Sequence, residues 1–123
     1  MIQNDIPLIV IKIGSSSIVK HNGDNTEIDE AKIANLTSSI HDLKNRGFRV
    51  LLVSSGAVAA GAHILKIPRP KPDDIKGLAA CASIGQPQLM SFYTEHARKN
   101  GFIYSQVLLT RADFHDQIAL DYL

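Results

Sequence analysis

Two runs of aliphatic and β-branched residues break off abruptly into glycine and serine: IVIKIGSSS at residues 9–17 and VLLVSSGAVAAG at residues 50–61. Residues 8–13, LIVIKI, are apolar at nearly every position, the pattern of a strand buried on both faces. Gly14 to Ser17 read as a turn. Residues 20–27, KHNGDNTE, are polar, with Asn22-Gly23 as a turn signal. Thr26 with Asp29 matches a capping box that opens a helix. Ile33, Leu36, Ile40 and Leu43 then recur at three- and four-residue spacing, which makes one face of that helix. Gly47 falls where the helix should close, and Phe48 to Val53 form a second strand. Strand, helix and strand make a βαβ unit, which predicts parallel strands joined by a right-handed crossover.

The pattern after Gly56, AVAAGAHIL, predicts a short helix rich in small residues, broken by the three prolines of KIPRPKP at residues 66–72. Asp73 and Asp74 favour the start of another helix through LAACASIG. Gly85 and Pro87 interrupt that pattern, either ending the helix or placing Pro87 at the first position of a new one that ends near Gly101. Residues 102–110, FIYSQVLLT, predict a third strand, and Asp113 a cap for a last helix. The expected fold is therefore α/β with a mainly parallel sheet. One sheet edge is left unpaired, which predicts self-association or a covering partner.

Composition narrows the functional classes. A chain of 123 residues makes one domain, and 45% hydrophobic residues suffice for a core. A net charge of +1 gives no long-range field for nucleic acid or an acidic membrane. The single cysteine, Cys81, excludes an internal disulfide and fits a reducing cytoplasm. It reads as a packing residue in a small-residue helix face. No apolar run approaches a membrane span, and the N-terminal run lacks the basic segment of a signal peptide.

The candidate chemistry sits at the two strand ends, where open parallel sheets bind ligands. KIGSSS is neither a Walker A loop, in which the lysine follows the glycines, nor a dinucleotide fingerprint. Gly14 lets backbone approach a ligand, successive amides there can hold an anion, and Lys12 adds a point charge for phosphate. An ordinary turn beside a surface lysine has the same spacing. In SSGAVAAG, Ser55 and Gly56 stand at a strand–helix junction suited to carboxylate or phosphate, while small size at Ala59, Ala60 and Gly61 suits tight packing. Thr110, Arg111 and Asp113 suit an anion contact or, equally, a helix cap and a solvated arginine. His21, His41, His63, His96 and His115 show no metal spacing and read as surface residues.

KIGSSSIV, LLVSSGAVAAG, LAACASIGQPQLM and QVLLTRADF, in this order, resemble the amino-acid kinase superfamily and, within it, the glutamate 5-kinases. The resemblance covers nearly the whole chain. It implies a three-layer α/β/α sandwich, with residues 1–123 as the N-terminal part of one kinase domain. It implies phosphoryl transfer from ATP, with Mg²⁺, to the side-chain carboxylate of L-glutamate, the first step of proline biosynthesis. Lys12, Gly14 and Ser15 match the phosphate-facing positions, with Lys12 catalytic; Ser55, Gly56 and Ala57 match the glutamate-binding turn. No metal ligand is assigned, and the expected form is a cytoplasmic homo-oligomer. Aspartate, asparagine and second-lysine roles of the family match no residue here, so weak or absent catalysis by this chain alone is expected. Two alternatives stand beside this reading: a non-catalytic remnant that oligomerises or binds a small anion or nucleotide, and a kinase of another amino-acid-like acceptor.

Overall fold

The computed structural model describes residues 6–23 and 25–117. The strands among them are β1 (Leu8–Ile13), β2 (Val19–Asn22), β3 (Asn25–Ile28) and β4 (Arg49–Ser54). The α-helices are α1 (Glu30–Asn45), α2 (Ala57–Leu65) and α3 (Ile75–Lys99). β1 and β4 pair in parallel, from Leu8 opposite Arg49 to Ile13 opposite Ser54. The chain is thus α/β with a parallel sheet, as its strand–helix–strand pattern predicts.

The pairing puts Ile9, Ile11, Ile13, Val50, Leu52 and Ser54 on a half-buried face against the helices. Burial on both faces does not hold within the described residues. Leu8 is 51% exposed and Val10 59%, and Leu51 and Val53 beside them are exposed too. Lys12 belongs to this uncovered face, opposite Val53.

The polar stretch that carries the Asn22-Gly23 turn signal is a hairpin. β2 and β3 pair antiparallel around Gly23, whose φ is +62°, so the Asn22-Gly23 turn signal was sound. The strands were hidden because Lys20, His21 and Asn22 have little strand preference; Ile18, Val19 and Ile28 anchor them in the core. Thr26 consequently belongs to β3 and bonds His21 Nδ1 at 3.2 Å, and it opens no helix. Asp29 caps α1, accepting the Lys32 amide at 3.3 Å.

α1 closes as Gly47 predicts. Its φ is +86°, and the Gly47 and Phe48 amides reach back to the carbonyls of Lys44 and Leu43 at 2.9 and 3.1 Å. Ile33 and Ile40 are buried on the expected face, with Leu36 and Leu43 half-buried beside them. His96 departs from the surface expectation: it is buried, and its Nε2 lies 3.1 Å from Glu30 Oε1, tying α3 to the start of α1.

α3 runs unbroken for 25 residues through Gly85 and Pro87, contrary to the predicted interruption. Pro87 is exposed and costs the helix one donor. Gly85, Leu89 and Tyr93 are buried on its other side, and this packing outweighs the loss. The backbones of α2 and α3 touch: a Cβ added at Gly61 would strike the Cys81 carbonyl oxygen, and one at Gly85 the Ala57 carbonyl oxygen. Cys81 is wholly buried there.

Residues 102–110 form no strand among the described residues. Their start is tied to α3 by Tyr104, whose hydroxyl donates to the Met90 carbonyl at 2.7 Å. Ile103 is 95% exposed, and the segment has no described ladder neighbour to satisfy its backbone. Asp113 caps no α-helix within the described residues: its carboxylate closes a turn on the Thr110 amide and hydroxyl. The last helix expected beyond it falls largely outside them.

Gly61→Ala and Gly85→Ala should each cost about 2 kcal/mol or more, as overpacking at a rigid backbone contact does. Gln88→Ala, exposed on α3, should stay within about 0.5 kcal/mol in the same urea titrations. Unchanged midpoints for the glycine variants would contradict the close crossing.

Candidate functional site

Parallel pairing brings the two strand ends together. The Ser55 amide donates to the Ile13 carbonyl at 2.9 Å, extending the ladder past both strands. Beyond this bond the chains diverge, one into the 3₁₀ turn Ser15–Ser17 and the other through Ser55 and Gly56 into α2. The gap between them is a recess of about 210 Å³, lined by Ser15, Ser54, Ser55, Gly56, Ala57, Val58, Ala59 and Arg69.

Gly56 makes the second turn possible. Its φ of +124° strains any other residue, and an added Cβ would lie 2.7 Å from Ile18 Cδ1. No side chain caps α2. The first-turn amides of Ala57, Val58 and Ala59 therefore have no intrahelical acceptor and border the recess. The Ser55 hydroxyl makes no bond with other described residues and is exposed.

Ser54 and Tyr93 set this turn from behind. Ser54 Oγ donates to the Ser55 carbonyl at 2.9 Å, so its single proton is used there. The Tyr93 hydroxyl lies 2.7 Å from Ser54 Oγ, within hydrogen-bond distance. Tyr93 is 4% exposed, and burial pushes its phenol above the ordinary value of 10.0, with the Ser54 hydrogen bond offsetting part of the rise.

Of the residues singled out from sequence, Ser15, Ser55, Gly56 and Ala57 meet in one recess. Lys12 and Gly14 precede Ser15 without lining it. Lys12 is exposed and makes no ion pair with described residues. Gly14, with φ −77°, has room for a side chain, the Ser16 Oγ lying 4.0 Å from an added Cβ. The packing of the chain therefore does not require glycine there. Ala59, Ala60 and Gly61 are buried as packing residues, although Ala59 also reaches the recess.

Sequence reasoning missed Arg69 and Tyr93. Arg69 stands among the prolines of a helix-breaking segment, and Tyr93 occurs on an ordinary helical face; neither carries a local signal of its place. Among the described residues no three His, Cys, Asp or Glu side chains group to hold a metal ion. No helix among them is long and apolar enough to cross a membrane.

The neutral Tyr93 phenol is the form the fold prefers, so its contribution to stability is present below about pH 10 and is lost as pH rises through its raised folded value. Tyr93→Phe should remove this part of the alkaline loss, and about 1 kcal/mol of neutral-pH stability with the hydrogen bond. Urea titrations from pH 7 to 11 check both; identical pH dependence in the two proteins would contradict them.

A family model, the amino acid kinase family, matches residues 7–122. A glutamate 5-kinase of Bacillus cereus (strain ATCC 10987 / NRS 248) is 45% identical over 106 residues, covering 86% of this chain and 28% of that protein. One of Bacillus anthracis is 46% identical over 107 residues, with the same coverage of 86% and 28%. One of Methanosarcina barkeri (strain Fusaro / DSM 804) is 40% identical over 120 residues, covering 94% of this chain and 31% of that protein. The chain thus spans under a third of the length of these curated relatives.

Proposed function

The chain belongs to the amino acid kinase family, and on that premise we propose that it carries the acceptor recess and first phosphate-facing turn of a glutamate 5-kinase. The reaction is transfer of the ATP γ-phosphoryl group to the side-chain carboxylate of L-glutamate. The carrying observation is that Ser15, from the turn after β1, and Ser55, Gly56 and Ala57, from the turn after β4, line one recess. Donor and acceptor anions must meet at such a place.

Size supports the division of labour. A volume of about 210 Å³ suits a molecule as small as an amino acid; pockets for larger ligands run to roughly 300–1,000 Å³. The nucleotide is therefore assigned outside the recess, with its phosphates toward Gly14 and Lys12. Gly14 leaves space for close backbone approach, and the Lys12 ammonium, near the end of β1, makes no ion pair with described residues.

Phosphoryl transfer calls for positioning and charge stabilisation, with no covalent nucleophile on the protein. The Ser55 hydroxyl and the first amides of α2 orient the acceptor, and Lys12 offsets charge on the phosphate oxygens. Mg²⁺, when bound, neutralises the triphosphate. The free, buried Cys81 and the small polar substrates suit a reducing cytoplasm.

The test is calorimetric titration of glutamate and of Mg-ATP, alongside thermal melts and a glutamate-dependent ADP-release assay. Ser55→Ala should weaken glutamate binding about ten- to a hundredfold, the worth of one hydrogen bond to a charged group. Lys12→Ala should weaken triphosphate binding and leave the melting temperature unchanged. A folded chain that binds no glutamate contradicts the reading, as does a Lys12→Ala loss shared equally between binding and folding. Binding without ADP release would keep the recess's role and remove turnover from this chain alone.

A further inference from the structure

Among the residues lining the recess, Arg69 has the sole formally charged side chain. It comes from the loop between α2 and α3, on neither of the two turns identified from sequence. It is exposed, and its guanidinium makes no ion pair or hydrogen bond with described residues, so none of them uses its charge.

Glutamate carries two carboxylates, and the reaction consumes one. The reacting carboxylate must stay open to the triphosphate, an anion that repels it. The other needs a cation that holds the molecule the right way round. A guanidinium suits this task, because its planar fork of donors matches a carboxylate bidentately. Lys12 cannot serve both ends, since it projects from the opposite face of the β1–β4 pair to Ser54.

We infer that Arg69 is the specificity-determining residue of the acceptor recess, gripping the α-carboxylate of glutamate while the side-chain carboxylate faces the phosphate turn. This rests on the glutamate reading of the recess. It makes the site selective against acceptors with a single carboxylate, which would leave the guanidinium without its partner.

A second recess supplies the control. It measures about 610 Å³ and is lined by Arg69, Pro70, Lys71, Pro72 and Leu78, so Lys71 shares the loop without reaching the first recess. The experiment titrates L-glutamate, 4-aminobutyrate (the same skeleton without the α-carboxylate) and Mg-ATP into the unaltered chain. The same titrations are run on Arg69→Ala, Arg69→Lys, Lys71→Ala and Ser55→Ala, each checked by thermal melt.

Arg69→Ala should weaken glutamate about tenfold or more and 4-aminobutyrate little, collapsing the preference between them. Arg69→Lys should recover part of it, and Lys71→Ala should change neither ligand. Arg69 loses the assignment if its alanine variant keeps the preference, weakens Mg-ATP instead, or matches Lys71→Ala. In each of those cases a Ser55→Ala loss of glutamate binding would leave the recess reading standing. If the folded unaltered chain binds no glutamate, that reading fails and the α-carboxylate role falls with it.

Discussion

The close crossing of α2 on α3 is the constraint from which the rest of the site follows. Glycine at 61 and 85 lets the two backbones touch, against Cys81 and Ala57. Ala57 is also the first residue of α2 and lines the recess, so the contact that seats the helix fixes where its first-turn amides stand. α3 acts on the turn a second time through Tyr93, whose hydroxyl holds Ser54. One long helix thus sets both sides of the Ser54–Ala57 segment. This explains why α3 continues past Pro87: the buried residues flanking it belong to the same contact surface.

The parallel pair β1–β4 is the complementary constraint. Its register ends at Ile13 opposite Ser54, which forces both turns to start at one level and leaves the recess between them. The same alternation that seats Ile13 and Leu52 against the core places Leu8, Val10, Leu51 and Val53 on an open face. Exposed apolar patches of this kind mark places where a partner, a membrane or a ligand can dock. The curated relatives are more than three times as long as the matched segment, so their sequences contain ample material beyond it.

Much of this was legible in the residues. The run LIVIKI, the spacing Ile33, Leu36, Ile40 and Leu43, and the glycine at 47 specify strand, helix and stop because each depends on nearest neighbours along the chain. The hairpin was not legible, since Lys20 to Glu27 is polar and its strands are held by Ile18, Val19 and Ile28 at its ends. Residues 102–110 have strand composition without a described partner, and composition alone supplies no ladder. Ser15, Ser55, Gly56 and Ala57 could be picked from strand-end chemistry. Arg69 and Tyr93 could not, because their places depend on how α3 and its preceding loop fold back over the turn.

The most direct measurement of whether both strand ends build one recess is an amide-resolved NMR titration of the chain with L-glutamate. The amides of Ser15 and of Ser55, Gly56 and Ala57 should shift together, with one common dissociation constant, while the hairpin tip at Asn22 and Gly23 stays still. Shifts confined to one of the two turns, or spread elsewhere with these amides unmoved, would contradict a single recess built from both strand ends.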